Sequence, residues 1–447
     1  MNKNDLTQGN IWTKLILYFL PLAAGTVLQQ LYNAVDGLIV GRFIGTIALA
    51  AVGGSATLIS HAMINFFVAL TNGGSVLVAQ YFGANNDKAL QKAVHTFLLS
   101  LSVLGVTISI IGFIFTPKML ALMKTPAETM AESVAYLRII FVGVLFQIVY
   151  NMGASILRAV GNSKSPFIYL GVSSVTNIVL DLLFVCVFNM GVAGAAYATI
   201  ISQGISAVLV ILNLIKAKAE SYGLKFDALR VDWRILKRML GIGLPLGCQS
   251  LIYSYTNMVA QVGVNVLGTV VVASWAVEGK LDAFFWGLMT SVNTTITNFV
   301  GQNYGKGDFE RMKKGVKCAF ILFMGLSFAF CGVLLLTPHL FVPLFDSNPE
   351  VIECTIHLVY FFGPTYWIWT INEVLSGALR GEGKTGVTFG IAFVSVCIFR
   401  LAWLKFVFGA NPTLDCLSMC YPISWSLASI GMIIYYVIHV KHKSVVQ

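Results

Sequence analysis

FLPLAAGTVLQQLYNAVD, residues 19–36, recurs in the second half of the chain as GLPLGCQSLIYSYTNMVA, residues 243–260, with Pro21 opposite Pro245. Two further pairs of segments match in the same order: VAQYFGANNDKALQKAV (78–94) with VGQNYGKGDFERMKKGV (300–316), and GASILRAVGNSKSPF (153–167) with SGALRGEGKTGVTF (376–389). The chain therefore contains two copies of one unit.

The composition is that of an integral membrane protein. Of the 447 residues, 57% are apolar and only 11% are charged, whereas roughly 25% are charged in soluble domains. Apolar runs of about 20 residues suit α-helices that cross a bilayer core of about 30 Å. Twelve such spans are predicted, at approximately 12–40, 46–78, 92–115, 132–156, 166–188, 191–215, 238–264, 268–300, 316–337, 351–377, 387–408 and 416–439.

The basic residues predict the orientation of these spans. With the N-terminus inside, the outer loops hold Arg42, Lys118 and Lys124, and most of the 29 Lys and Arg residues fall in cytoplasmic segments. Because cytoplasmic loops are enriched in Lys and Arg, we expect both termini to face the cytoplasm and the protein to lie in the plasma (inner) membrane. This topology accounts for the net charge of +10, so we expect no nucleic-acid partner. No cleavable targeting segment is evident.

The repeat divides the chain into two predicted lobes. The N-lobe, residues 1–215, holds helices 1–6, and the C-lobe, residues 239–447, holds helices 7–12. A parallel repeat of this kind is found in transporters whose halves surround a central site. The cytoplasmic linker, 216–238, is predicted to begin as an interfacial helix, because apolar residues recur at spacings of three and four: Phe226, Leu229, Trp233, Leu236 and Met239.

The ordered set of motifs resembles the multidrug and toxic compound extrusion (MATE) family. The paired LPL-containing first helices, the AQxxGA and GQNYG helix ends and the repeated LRxxG loops carry the resemblance over nearly the whole chain, together with NIVLD followed by GVAGAAYATIISQG. The resemblance implies an all-α polytopic membrane protein with twelve transmembrane helices in two six-helix lobes around a V-shaped cleft. It also implies export of organic, often cationic, compounds driven by inward H⁺ or Na⁺.

Asp36 places a carboxylate in the first predicted span. Ionisable groups within a membrane are costly and usually functional. The repeat places Ala260 opposite Asp36, and the seventh helix has no Asp or Glu. The chain is most similar to the branch of the family in which an N-lobe aspartate carries the coupling. Because the seventh helix has no carboxylate, a coupling site on a seventh-helix carboxylate is excluded.

Polar side chains on four helices are predicted to surround Asp36. Residues four apart share one helix face, and the candidates are Tyr32 and Asp36 on helix 1, Asn151 on helix 4, Asn177 and Asp181 on helix 5, and Thr199 and Gln203 on helix 6. All except Gln203 are predicted to act in ion coupling, with Na⁺, if it is the ion, at Asp36, Asn177, Asp181 and Thr199. The alternative is that Asp36 and Asp181 only cross-link helices. Apart from H⁺ or Na⁺ we expect no cofactor, and oxygen donors without clustered His or Cys do not favour a transition metal.

A second set of polar residues is predicted to line a substrate cavity: Gln203, Asn257, Asp282 and Glu373. Glu373 is the deepest carboxylate of the C-lobe and is expected either to recognise a cationic substrate or to be ion-paired for structure. Arg400 lies within a predicted span and needs a partner, for which Glu373 and Asp282 are candidates.

These features favour a monomeric secondary antiporter that exports amphipathic or cationic organic compounds in exchange for H⁺ or Na⁺. The alternative is a flippase of lipid-linked saccharides from the same wider superfamily, for which a strongly basic cavity would be expected. A membrane enzyme is disfavoured because the sequence has no HExxH or GxSxG motif. The sequence leaves the substrate and the choice between H⁺ and Na⁺ open.

Overall fold

The computed structural model describes residues 5–43, 55–123 and 125–446, and within these ranges it contains helices and no strand. Its long helices are α1 (Ile11–Phe43), α2 (Ser55–Gly83), α3 (Asp87–Leu122), α4 (Ala127–Ala159), α5 (Lys164–Asp181), α6 (Gly191–Lys216), α7 (Trp233–Val266), α8 (Thr269–Lys306), α9 (Phe309–Leu336), α10 (Pro349–Phe362 and Tyr366–Gly381), α11 (Thr385–Phe408) and α12 (Leu414–Val446). The predicted all-α polytopic fold is confirmed. The start of the second predicted span, residues 46–54, lies outside the described residues.

Nine helices in the described ranges are long and apolar enough to cross a membrane. The other three long helices are α7, α8 and α10. In α10 a 3-10 turn at Gly363–Thr365 separates two shorter helices, because Pro364 has no N–H to continue the ladder of hydrogen bonds. In α8 the charged residues Glu278, Lys280 and Asp282 lower the hydropathy.

The chain forms two compact units. One contains Leu17–Gly247, and the other contains Thr7–Ile16 together with Cys248 and the residues that follow. The N-terminal segment is held on the second unit by two hydrogen bonds, from Lys306 Nζ to the Thr7 carbonyl (3.2 Å) and from Arg311 Nη1 to the Gly9 carbonyl (2.9 Å). Because Gly247 and Cys248 belong to different units, the division between the units falls within α7.

The linker does not form the predicted interfacial helix. It contains only the 3-10 turns Ala217–Ala219 and Phe226–Ala228 before α7 begins at Trp233. The backbone N–H of Lys225 donates to His95 Nε2 at 3.1 Å. This tertiary bond to α3 holds the segment in a non-helical path, so the prediction of a helix from apolar spacing alone is wrong.

Asp232 begins α7. Its Oδ1 accepts from the backbone N–H groups of Arg234 (3.0 Å) and Ile235 (3.2 Å), which are donors that a helix leaves free at its N-terminus. The hydrogen bond from Ile235, followed by the one from Arg234, lowers the pKa of the Asp232 carboxyl. The backbone N–H of Asp232 donates to Thr96 Oγ1 at 3.0 Å, which anchors the start of α7 on α3.

The two repeats share a widened helical turn. A π-helix, Leu182–Val187, directly follows Asp181, and α11 contains two, Phe393–Ile398 and, at its end, Trp403–Phe408. Continuing the repeat alignment without a gap from Arg158 and Arg380 places Asp181 opposite Trp403, so Leu182–Val187 and Trp403–Phe408 coincide to within one residue. Such turns are rare and frequently occur at functional sites.

Helices α2 and α7 are in backbone contact at Gly73 and Gly243. A Cβ atom added to Gly73 would lie 2.3 Å from the Cα of Gly243. Close approach through small residues is typical of membrane helices. We therefore expect Gly73→Ala to destabilise the protein by about 1–3 kcal/mol, the usual cost of overpacking, and to lower its melting temperature in detergent.

Gly241→Ala is the matched control. Gly241 also lies on α7, but a Cβ atom there would have no neighbour within 4 Å. Because alanine favours a helix over glycine by about 1 kcal/mol, this variant should melt at the wild-type temperature or above it. Equal melting temperatures for Gly73→Ala and wild type would contradict the proposed close packing.

Candidate functional site

Helices α1 and α5 bring Asp36 and Asp181 together. Their carboxyl groups lie close enough to interact with each other. Asp181 is fully buried, and Asp36 is half-buried. The two residues predicted to be most important for coupling therefore form one carboxylate pair.

In the part of the chain that the structure describes, no Lys, Arg or His forms an ion pair with either carboxylate. Two ionised carboxylates offer acceptors only, so they bond to each other only when one oxygen carries a proton. Asp36 Oδ1 and both oxygens of Asp181 are buried without a hydrogen-bond partner among the described residues. Since an uncompensated buried charge is costly, the pair is suited to hold a shared proton or a small cation.

Two tyrosines stand beside the pair. Tyr32, one turn before Asp36, and Tyr136 of α4 lie close enough to both carboxylates to interact with them electrostatically. Tyr136 also packs against a small apolar cluster that includes Ile39 of α1. Phenol groups at these positions can donate to the carboxylates.

Asn177 of α5 and Thr199 of α6 carry further side-chain oxygen atoms. Asn177 is buried one turn before Asp181, and neither atom of its side-chain amide has a partner among the described residues. Thr199 donates its hydroxyl proton to the Ala195 carbonyl at 3.0 Å, so it offers only lone pairs to a ligand. Carboxylate, amide and hydroxyl oxygens are the donors that a hard cation prefers. Gln203 is half-buried one turn further along α6.

Asn151 does not lie with the carboxylate pair. Its Nδ2 donates to the Gln147 carbonyl at 2.9 Å, and its side chain borders a small gap with Met63 and Phe67 of α2. About 22 Å of helix, at 1.5 Å per residue, separates Asn151 from Tyr136, which does lie beside the pair. The predicted coupling role of Asn151 is therefore not supported by its position.

The second unit holds a cavity of about 480 Å³, a size within the usual range for organic ligands. Helices α7, α8, α10, α11 and α12 line it, and three of the predicted substrate-cavity residues, Asn257, Asp282 and Glu373, are in its wall. The lining residues are Tyr253, Asn257, Gln261, Trp275, Glu278, Gly279, Asp282, Trp286, Thr290, Phe362, Trp369, Glu373, Val396, Arg400, Tyr421 and Trp425.

Glu278 and Asp282 lie one turn apart on α8, and both contact the phenol of Tyr366. The Tyr366 hydroxyl lies 3.1 Å from Glu278 Oε1 and makes a short contact with Asp282 Oδ1. A phenol carries one proton, so it donates to one carboxylate at a time, and the other contact needs a protonated carboxyl. Trp286 Nε1 donates to Asp282 Oδ2 at 3.3 Å.

Aromatic rings lie beside these carboxylates. Trp286 packs edge-on against Trp369, with 5.4 Å between ring centroids, and against Trp425, with 5.9 Å. Tyr253 in turn contacts Trp369 at 6.2 Å. Aromatic faces next to negative charge attract organic cations through cation–π and Coulomb interactions.

The position of Glu373 suits both alternatives given by the sequence, recognition of a cationic substrate and a structural interaction with a basic residue. It lines the cavity, and its carboxylate lies near the Trp369 indole and the Asn293 amide, within electrostatic reach of Arg380. Arg380 is itself anchored by Asn293 Oδ1 (3.0 Å) and Gln249 Oε1 (3.3 Å). A fixed cation therefore partly balances Glu373, so Glu278 and Asp282 are the less compensated acids of the cavity.

Arg400 of α11 borders the same cavity with neutral partners. Its Nε donates to Ser424 Oγ at 2.8 Å and its Nη1 to Asn257 Oδ1 at 3.4 Å. The guanidinium lies over the ring of Tyr421, 4.2 Å from the centroid. The cavity therefore has a positive group as well as negative ones.

Neither candidate ion pair of Arg400, with Glu373 or with Asp282, occurs among the described residues. Asp282 instead contacts Tyr366, and the cation that acts on Glu373 is Arg380. Each carboxylate already has a local partner on a neighbouring or the same helix.

Sequence interpretation also did not assign Tyr136, Glu278 or Tyr366 to a site. The spacing of four between Glu278 and Asp282 is a signal that could have found the pair on one helix face. Tyr136 and Tyr366 reach their carboxylates from other helices, and no linear spacing in one sequence indicates such a contact.

The MatE family model matches residues 21–183 and 245–403, one match in each repeat. These segments make up most of the chain, and the protein belongs to this family. It is therefore a membrane transporter and not an enzyme. The resemblance to the MATE family is confirmed.

Relatives of this chain cover nearly its whole length. The probable multidrug resistance protein YpnP of Bacillus subtilis (strain 168) is 28% identical over 409 residues, which cover 90% of this chain and 89% of the relative. YoeA of the same organism, another probable multidrug resistance protein, is 29% identical over 390 residues (84% and 82%). The multidrug export protein MepA of Staphylococcus haemolyticus (strain JCSC1435) is 24% identical over 407 residues (90% and 89%).

Solved structures share the fold. A MATE protein in the straight conformation matches with a TM-score of 0.92 at 21% identity, covering 99% of each chain. A MATE protein in the bent conformation matches with a TM-score of 0.89 at 21% identity, covering 98% of this chain and 97% of the other. The agreement at such low identity shows that this chain has the same architecture. The ligands of this chain are inferred from the chemistry of its own sites.

Proposed function

We propose that this protein is a secondary antiporter that exports amphipathic, cationic organic compounds, such as drugs and toxins, in exchange for H⁺ or Na⁺. The observation that carries the proposal is the pair of Asp36 and Asp181, which lie close enough to interact and have no compensating cation in the described part. The names of the relatives, which are drug-resistance and drug-export proteins, support the substrate class.

The coupling ion binds at the carboxylate pair. A proton shared by Asp36 and Asp181, or Na⁺ held by their oxygens and that of Asn177, neutralises the charge. Neutralisation favours one arrangement of α1, which contains Pro21 and therefore lacks one backbone hydrogen bond and bends readily. An ion moves such an equilibrium only if it prefers one of the two states.

The organic cation binds in the cavity of the second unit. Glu278 and Asp282 supply negative charge, and the rings of Trp286 and Trp369 supply apolar contact. Substrate and coupling ion weaken each other's binding, and linkage of this kind is typically worth about 1–3 kcal/mol. The substrate leaves when the ion enters, which is the requirement for antiport.

Transport in proteoliposomes tests this proposal and identifies the ion. The purified protein is reconstituted into liposomes that are loaded with a fluorescent organic cation. A pH gradient and a Na⁺ gradient are then imposed separately. Export should accelerate under one gradient and stop when a selective ionophore collapses it. Export that is indifferent to both gradients would contradict antiport.

We further infer a plasma-membrane location with cytoplasmic termini, a monomeric state, small organic substrates and no nucleic-acid partner. The asymmetric distribution of Lys and Arg supports the orientation. It predicts that the N-terminus, the 216–238 linker and the C-terminus all lie inside.

Single cysteines test the topology. Introduced at Asn10, Asp227 and Ser444 on a background without the eight native cysteines, they should not react in intact cells with a membrane-impermeant maleimide. A cysteine at Asn411, in the predicted outer loop between helices 11 and 12, is the positive control. Reaction at Asp227→Cys in intact cells would overturn the predicted orientation.

A further inference from the structure

Arg400 is a positively charged group in the wall of the cavity. Binding of a simple cation there does not require it. Its residue surface is 5% exposed, and no carboxylate in the described ranges pairs with it. A guanidinium stays charged in proteins, and burying one against neutral partners alone is costly. A positive group in this place repels a purely cationic ligand and favours a ligand that brings negative charge.

The geometry leaves part of the guanidinium available. Nε donates to Ser424 and Nη1 to Asn257. Nη2 has no acceptor among the described residues and is not fully enclosed, and Arg400 lines the cavity. The Tyr421 ring, stacked on the group, fixes its plane. A fixed, planar set of N–H donors suits a carboxylate.

The internal repeat indicates that the fold does not require this charge. Continuing the repeat alignment from Arg158 and Arg380 places Ile178 opposite Arg400. The same helix of the first unit thus has an apolar side chain at this position. Arg400 is therefore a feature of this cavity rather than of the repeated architecture.

We propose that Arg400 is the anion-binding subsite of the cavity, which takes zwitterionic organic molecules. The carboxylate of the ligand binds Nη2 and Nη1 of Arg400, and its cationic end lies against Glu278 and Asp282. The inference rests on the proposed function, since it assumes that the cavity binds the exported compound, and it narrows the substrate class.

Rhodamine B and its ethyl ester are the probes, because they share one cationic fluorophore and differ in a free carboxylate. Binding to purified wild-type protein in detergent is measured by fluorescence anisotropy. Wild type should bind the zwitterionic rhodamine B at least as tightly as the ester. A clear preference for the ester in wild type would overturn the proposal without any variant.

Arg400→Gln should weaken binding of rhodamine B about tenfold, the loss expected for one hydrogen bond to a charged group, and leave the ester unchanged or tighter. Arg400→Lys keeps the charge and should retain part of the preference. Lys405→Gln is the matched control, because Lys405 is an exposed cation on the same helix, and it should change neither affinity.

An equal effect of Arg400→Gln on both dyes would assign Arg400 a structural role and overturn the proposal while the proposed function stands. Failure of wild type to bind either dye, together with no gradient-driven export, would overturn the proposed function itself. The two failures are therefore distinguishable.

Discussion

Asp36→Asn should reduce gradient-driven export to the rate of protein-free vesicles while the protein still folds. Asparagine keeps the size of the side chain and much of its hydrogen bonding, but it can neither ionise nor carry the exchanged proton. An amide beside Asp181 can donate to that carboxylate without a shared proton, so the pair no longer needs a bound proton or cation to be satisfied. Transport in proteoliposomes under an imposed gradient measures the effect.

Two variants make this result specific. Asp181→Asn removes the other member of the pair and should also disturb coupling, whereas Asp227→Asn changes an exposed aspartate of the same unit and should export at the wild-type rate. Melting temperatures in detergent control for folding. If Asp36→Asn still drives export against a gradient, Asp36 only cross-links helices, and coupling lies elsewhere.

Replacing both acids of the cavity, Glu278→Gln with Asp282→Asn, should raise the dissociation constant for tetraphenylphosphonium about 30-fold. The double variant keeps the shape of both side chains and removes their negative charge. Loss of one partner in a buried charge interaction costs about 2 kcal/mol or more, and each 1.4 kcal/mol is a factor of ten. Equilibrium binding of the radiolabelled cation measures this change.

Glu353→Gln is the matched control for this experiment. Glu353 is an exposed carboxylate on α10 of the same unit, so its replacement should leave the dissociation constant unchanged. Unaltered affinity in the double variant would show that the cavity does not recognise the cation through Glu278 and Asp282.

Apolar run length and the internal repeat are enough to predict the helices of this protein, because a bilayer demands long apolar segments with satisfied backbones. The pairing of Asp36 with Asp181 could also be predicted from the sequence, because carboxylates within membrane spans usually face other polar groups. Asn151 shows the limit of that argument. A polar residue on a neighbouring helix was assigned to the pair, but its depth along α4 places it elsewhere.

The parts that sequence missed depend on contacts between helices. His95 and Thr96 of α3 bind the backbone of the linker, and these bonds outweigh an apolar spacing that otherwise predicts a helix. Likewise, Arg400 interacts with Ser424 and Asn257, although the sequence offers two carboxylates as candidate partners. Side-chain pairing across helices is set by rotation and depth, which a single sequence does not encode in its spacing.

We expect the ion at Asp36 and Asp181 and the substrate to weaken each other's binding. The most direct test is the dissociation constant of tetraphenylphosphonium for the purified protein, measured across pH and Na⁺ concentration for wild type, Asp36→Asn and Asp181→Asn. For wild type, affinity should fall as the coupling ion, H⁺ or Na⁺, becomes more concentrated, and Asp36→Asn should lose this dependence. A wild-type affinity that is indifferent to both ions would contradict the account.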